Sequence, residues 1–188
     1  MGAVPREKFV PDQFGRAAFD ERALPIGLGQ TISQPLMVAM MTEALELEPD
    51  DSVLEIGTGS GYSTAVLRQL VRRVTSVERI PELARSARER LDRLGVDGVE
   101  IHCADGTLGW PEGQPYDAIV VTAGAPAVPD ALVDQLAIRG RLVLPIGPRG
   151  GERLIRIRRR ADGSTDWTDL GGVAFVPLVG EQGWPADG

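Results

Sequence analysis

From Ser52 to Ile146, short apolar runs of strand type alternate with stretches whose apolar residues recur at helical spacing. "SVLEI" is followed by a helical pattern from Ser60 to Val71, and "RVTSVE" by "PELARSARERLDRLG". "VEIHC" and the apolar run "YDAIVVTAG" lead to "VPDALVDQLAIRGRLVLPIG", which reads as helix, glycine and strand. In the helix after "RVTSVE", Pro81 takes the first position, where its missing N–H costs nothing, and Gly95 closes the carboxyl end. Leu83, Ala84, Ala87, Leu91 and Leu94 form its sheet-facing stripe. Strands joined through helices pair in parallel, so this alternation implies a doubly wound, three-layer α/β sandwich. "GERLIRIRRRADGSTDWTDLGGVAFVPL" then reads as antiparallel strands around the turn "ADGST", which gives the sheet an antiparallel edge.

The 188 residues, 43% of them hydrophobic, suffice for one sizeable core, and a single globular domain is expected. Within it, residues 1–34 carry Pro5, Pro11 and the aperiodic "LPIGLGQTIS" and read as an irregular arm over residues 35–188. A helical pattern starts at Pro35, with Leu36, Val38, Ala39, Met40, Ala44 and Leu45 on one broad face, and stops at Pro49 and Asp50. The formal net charge of −7 argues against a sequence-independent grip on nucleic acid. Cys103 stands alone, so no internal disulfide forms, and the start "MGAVPREKF" lacks the apolar region of a secretory signal. A cytoplasmic location is expected. No apolar run approaches the ~18 residues of a membrane span, and no His/Cys cluster has metal-ligand spacing.

The chemistry gathers where the first parallel strand breaks into glycines, at "VLEIGTGSGY". In an open α/β sheet a ligand sits at the carboxyl ends of the strands, and glycines there let it approach the backbone. Glu78 ends the next strand 21 residues after Gly57, the spacing of a carboxylate that holds ribose hydroxyls. NAD, FAD and S-adenosylmethionine all fit so far. Glu55, two residues before Gly57, favours the last: a carboxylate would repel a phosphate by roughly 4 kcal/mol at 4 Å in an effective dielectric near 20. S-adenosylmethionine instead brings an ammonium and a sulfonium. The loop also lacks the Lys-Ser/Thr pair of a P-loop. Asp105, in "CADG", is a candidate acceptor for the adenine amino group.

"VPREKFVP", "LPIGLGQTISQP", "VLEIGTGSGY", "VERIPELA", "DGTLGWPE", "YDAIVVTAGAP", "GRLVLPIG" and the final "FVPLVGEQGW" occur in the order and nearly at the spacing of one family. From Val4 to about Trp184 the chain resembles the protein-L-isoaspartate (D-aspartate) O-methyltransferases. The resemblance implies a Rossmann-like class I S-adenosylmethionine-dependent methyltransferase with a mostly parallel seven-stranded sheet, in which the last two strands exchange places. It implies methyl transfer from S-adenosyl-L-methionine, leaving S-adenosyl-L-homocysteine, to the free α-carboxylate of L-isoaspartyl and D-aspartyl residues in damaged proteins and peptides. The ester then closes to a succinimide with loss of methanol, and hydrolysis partly restores aspartate. A monomer with no nucleic-acid or membrane partner is expected.

A carboxylate is already ionised and nucleophilic at neutral pH, so the reaction needs no general base. The only histidine, His102, accordingly reads as a strand residue. The resemblance assigns Ser33 to orienting the substrate carboxylate; the competing reading is an N-cap for the Pro35 helix. On the cofactor side the expected residues are Thr31, Ile32, Glu55, Gly57, Thr58, Gly59, Ser60, Gly61, Glu78, Asp105, Gly106 and Thr122. Gln30, Ser33, Ala123, Gly124 and Ala125 are expected on the substrate side, under residues 1–34 as a cover. Cys103 reads as a small apolar filler, Trp110 as a packed loop aromatic, and Arg156 to Arg160 as charges guarding an edge strand.

Three departures bear on the substrate side. Met1 lies three residues ahead of "VPRE", where family members usually begin with a helical segment, so the arm is short or the start late. Phe19 stands where the family often has tyrosine, and Leu28 where an aromatic or histidine is common. Three other readings stay open: a methyltransferase dedicated to a normal aspartyl peptide, a cofactor-binding protein without turnover, and an NAD-linked oxidoreductase.

Overall fold

The computed structural model describes residues 2–186. Its centre is β3 (Ser52–Ile56), flanked in parallel by β4 (Arg73–Glu78) and β6 (Tyr116–Val121), with β5 (Val99–Cys103) beyond β4 and β7 (Leu136–Ile146) beyond β6. β8 (Glu152–Arg159) pairs antiparallel with β7, and β9 (Thr165–Val173) antiparallel with β8, so the seven strands run β5-β4-β3-β6-β7-β8-β9. The last two strands therefore run outward in chain order, as the exchange implied. A separate hairpin, β1 (Leu24–Gly27) and β2 (Gln30–Ile32), precedes the sheet.

Both faces of the sheet are covered, which is why β3 and β6 are largely apolar. Val53, Val74, Ala118 and Val120 pack beneath α1 (Pro35–Ala44) and α2 (Tyr62–Arg68). Leu54, Ile56, Ile119 and Val121 face the opposite layer with Leu132 of α4 (Asp130–Asp134). Each large aliphatic side chain so buried contributes roughly 1.5–3 kcal/mol. α3 (Pro81–Arg93) places Leu83, Ala84, Ala87 and Leu91 inward as its period predicts, and Gly95 follows at φ +68°.

Several elements differ from the sequence reading. Residues 1–34 are not merely draped over the domain, because Val4, Phe9, Leu24 and Ile32 join Tyr62, Val66 and Ala87 in one buried cluster. On α1 the inward face is Val38, Met41 and Ala44, while Leu36 is exposed, and the helix ends well before Pro49. α2 is shorter than Ser60 to Val71 because its first turn is the glycine loop itself. Gly140 falls inside β7 rather than before it. Arg156 and Arg158 lie on β8, which is paired on both sides; the edge beyond it is β9, and both arginines reach Glu46 instead of guarding an edge. Cys103 is exposed rather than a filler. His102 stacks on Trp110 with ring centroids 3.8 Å apart, which accounts for both. Among the described residues no helix is long and apolar enough to cross a membrane.

Candidate active site

At the carboxyl ends of β3, β4 and β6 the backbone opens into a cavity, and its floor is the glycine turn. The fold needs a glycine first in this turn: Gly57 has φ +96°, and a Cβ there would lie 2.3 Å from Thr122 Oγ1. Thr122 Oγ1 donates to the Gly57 carbonyl at 2.7 Å, so the strand-end threonine and the turn are locked together. Glu78 fixes the turn from the other side. Its Oε2 accepts from the Gly59 N–H and its Oε1 from the Ile80 N–H, both at 2.9 Å. Each oxygen keeps a lone pair for a further donor in the cavity.

The cavity wall carries Gln30, Thr31, Ile32 and Ser33 from the hairpin, Gly57, Thr58, Gly59 and Ser60 from the turn, and Glu78, Gly106, Thr122 and Ala123 from the strand ends. Most residues expected at the site are thus brought together. Ser33 does not cap α1, whose N-cap is Gln34 without a side-chain bond, and among the described residues its hydroxyl has no hydrogen-bond partner. A second cleft adjoins the first. It shares Thr31, Ser33, Thr122 and Val176 and adds Ala23, Gln34, Met37, Ala174 and Phe175.

Five expected residues are elsewhere. Glu55 is fully buried beneath the turn, because β3 is covered on both faces and a strand residue there has no solvent side. Its Oε2 accepts from Thr64 Oγ1 and, at 2.7 Å, from Ser76 Oγ. Since that commits the one Ser76 proton, Thr58 Oγ1 is the donor in the 2.6 Å contact with Ser76, and a hydroxyl chain runs from the cavity to Glu55. Burial pushes the Glu55 carboxyl up to about 7, against the pull of the Thr64, Ser76 and Ser63 hydroxyls. Glu55 therefore acts on the cavity through the turn and not by facing it.

Asp105 is spent on backbone and hydroxyl donors, Thr107 N–H at 2.9 Å, Thr107 Oγ1 at 2.7 Å and the Glu181 N–H at 2.8 Å, and does not line the cavity. Gly61 is the N-cap of α2. Gly124 and Ala125 also stand off the wall, and Gly124 instead anchors the C-terminal segment, giving its N–H to Val176 and taking the Leu178 N–H, both at 2.8 Å. Through that ladder Val176, Pro177, Leu178 and Val179 enter the wall, which the sequence reading missed although "FVPL" lies in a quoted motif. Arg6, in "VPREKFVP", was also missed. It is fully buried, donates to the Ala18 carbonyl at 2.5 Å and the Ser33 carbonyl at 2.6 Å, and lies 4.6 Å from the Tyr62 ring centre.

The wall suits S-adenosylmethionine. Glu78 offers free lone pairs to ribose hydroxyls, Val77 and Ile80 offer apolar surface to a base, and the only cationic lining residue, Arg79, is exposed. Comparison with known proteins agrees. The family model described as protein-L-isoaspartate(D-aspartate) O-methyltransferase matches residues 1–183. A protein-L-isoaspartate O-methyltransferase 2 of Marinobacter nauticus is 56% identical over 186 residues, covering 98% of this chain and 85% of that protein. A protein-L-isoaspartate O-methyltransferase of Methanoculleus marisnigri is 53% identical over 187 residues, covering 100% and 84%. Among solved structures, a protein-L-isoaspartate O-methyltransferase superposes with a TM-score of 0.85 at 30% identity, over 96% of this chain, which spans 60% of that longer one. A Plasmodium falciparum relative solved with S-adenosyl-L-homocysteine gives a TM-score of 0.75 at 27% identity, covering 94% and 86%. With the signature motifs folded around one cavity and the match running nearly end to end, the chain belongs to the protein-L-isoaspartate(D-aspartate) O-methyltransferase family.

Proposed function

We propose that this chain transfers a methyl group from S-adenosyl-L-methionine to the free α-carboxylate of L-isoaspartyl and D-aspartyl residues, the first step in repairing damaged proteins. One observation carries the assignment of roles: the uncommitted Ser33 hydroxyl stands where the cofactor-type cavity meets the second cleft. When bound, S-adenosylmethionine supplies an electrophilic methyl carbon on a sulfonium that leaves as a neutral thioether. Thr58, Gly59, Ser60 and Glu78 hold the cofactor, with Glu78 on the ribose. Ser33 donates to one oxygen of the acceptor carboxylate and turns the other toward the methyl. No proton is moved, in keeping with a wall that has no histidine. The chain's contribution is then alignment and exclusion of water, for which positioning alone is worth ~7–11 kcal/mol. Arg6 supports this indirectly, because its bond to the Ser33 carbonyl holds the backbone that carries the hydroxyl. We further assign a monomer in the cytoplasm without a nucleic-acid partner; the net charge of −7 supports the last point.

The test is methyl transfer from labelled S-adenosylmethionine to one peptide made in isoaspartyl and normal aspartyl forms. Label confined to the isoaspartyl form, later released as methanol, is the expected result. Label on the normal form would mean a dedicated aspartyl-peptide methyltransferase, and cofactor binding with no label on either would mean a binding protein without turnover.

A further inference from the structure

On the far side of the glycine turn lies a polar cleft that the reaction does not use. It opens between the N-terminal turns and α3, with about 350 Å³ of space, and Ser60 lines both it and the cofactor cavity. Lys8, Arg90 and Arg93 converge on it, and Ser86 adds a hydroxyl. In a chain with 27 acidic against 20 basic residues, such a trio would ordinarily find carboxylates. It does not. Arg90 donates to the Ser60 carbonyl at 2.7 Å and to Ser86 Oγ at 3.3 Å, and Arg93 Nε to the Glu89 carbonyl of its own helix at 3.1 Å. Among the described residues Asp12, which also lines the cleft, and Glu89 on α3 make no ion pair with any of the three, and the Lys8 side chain makes no hydrogen bond. Arg90 is half-buried, and burial first and the charge of Arg93 second disfavour its protonated form, against a smaller pull from the Glu89 carboxylate. Three cations are thus held together with donors to spare, and the nearby carboxylates of Asp12 and Glu89 pair with none of them.

We propose that this cleft binds a phosphate-class oxyanion, free phosphate or a small phosphomonoester, and that the Arg90–Ser60 contact couples it to the cofactor cavity. Guanidinium forks match tetrahedral oxyanions, and the lysine adds a point charge. A bound anion relieves the repulsion between Arg90 and Arg93 and firms Arg90 on the Ser60 carbonyl, so anion and cofactor strengthen each other's binding equally.

Lys8 is the only lysine in the sequence, which gives a direct readout that does not depend on methyl transfer. Acylation of Lys8 by an amine-selective reagent, followed by mass spectrometry with the α-amino group as internal control, should slow about tenfold in phosphate relative to chloride of equal ionic strength, because a bound anion engages and covers the amine. Glycerol phosphate in place of inorganic phosphate distinguishes the two sources by which protects at lower concentration. The exposed Arg93→Gln should abolish the protection without disturbing the fold. Equal slowing by chloride, or protection that survives Arg90→Gln/Arg93→Gln, overturns the site. In calorimetry with S-adenosylhomocysteine, saturating phosphate should tighten binding about fivefold; unchanged affinity with Lys8 still protected overturns the coupling.

Discussion

Ser33→Ala removes one hydroxyl from the junction of the two clefts and nothing from the core. Turnover on an isoaspartyl peptide should fall about 10–100-fold, the scale of losing one orienting contact, while cofactor affinity by calorimetry stays within about twofold. Unchanged turnover would move the orienting role to another group. Glu55 makes a different prediction. Its carboxyl rises from an ordinary 4.5 to about 7 on folding, so the folded chain keeps a proton that the unfolded chain releases. That contribution to stability is complete below the unfolded value and is lost as pH climbs through about 7, a swing of about 3 kcal/mol. Glu55→Gln stays neutral throughout. Urea unfolding at pH 5 and pH 8 should therefore show wild type losing more stability than the variant; parallel losses would mean the carboxyl is ionised in the folded state. That a carboxylate stands before the glycines was readable from the sequence. That it points into the core was not, because the hydroxyls that hold it, on Thr64 and Ser76, come from other elements.

At the scale of elements, periodicity decided what was legible. β3, β4, β5, β6 and α3 are long enough for their patterns to register, and all appear where expected. The β1–β2 hairpin does not register, since three or four residues around Pro25 and two glycines carry no period. Its loop is nonetheless specific. Leu28 and Gly29 join the strands with φ +52° and +72°, the signature of a type I′ turn, and leucine is poorly suited to the first of these positions. Leu28 is 57% exposed, so replacing it gives up little packing. Leu28→Asn should raise stability by about 0.5–1 kcal/mol in urea unfolding, asparagine being at ease at positive φ. A loss of stability would show that the leucine side chain packs on something its exposure does not reveal. Helix lengths were misjudged for a related reason: α1 closes at Leu45 with Glu46 at φ +49°, and α2 at Gln69, and none of these is a proline or glycine that would mark the end in the sequence.

For the molecule as a whole, the parallel sheet and its antiparallel finish follow from the order of strand and helix patterns, and the site follows from where that sheet opens. Contacts between distant segments were out of reach. Arg6 lies in an aperiodic arm where no pattern singles it out, yet it packs on Tyr62 and holds Ser33. Asp105 sits at a strand end suited to a base contact, yet Thr107 and the Glu181 N–H claim it. The wall of the cavity joins residues 30–33 to residues 176–179, which lie across the molecule's whole length of chain. A polypeptide emerging from the ribosome thus completes the sheet before it completes the site. Translation arrested after Val173 would release a chain with all seven strands and a missing wall, and such a chain should neither retain S-adenosylhomocysteine in equilibrium dialysis nor turn over peptide. On that outcome, unfinished copies would be silent, and the methyl donor would be drawn on only by finished ones.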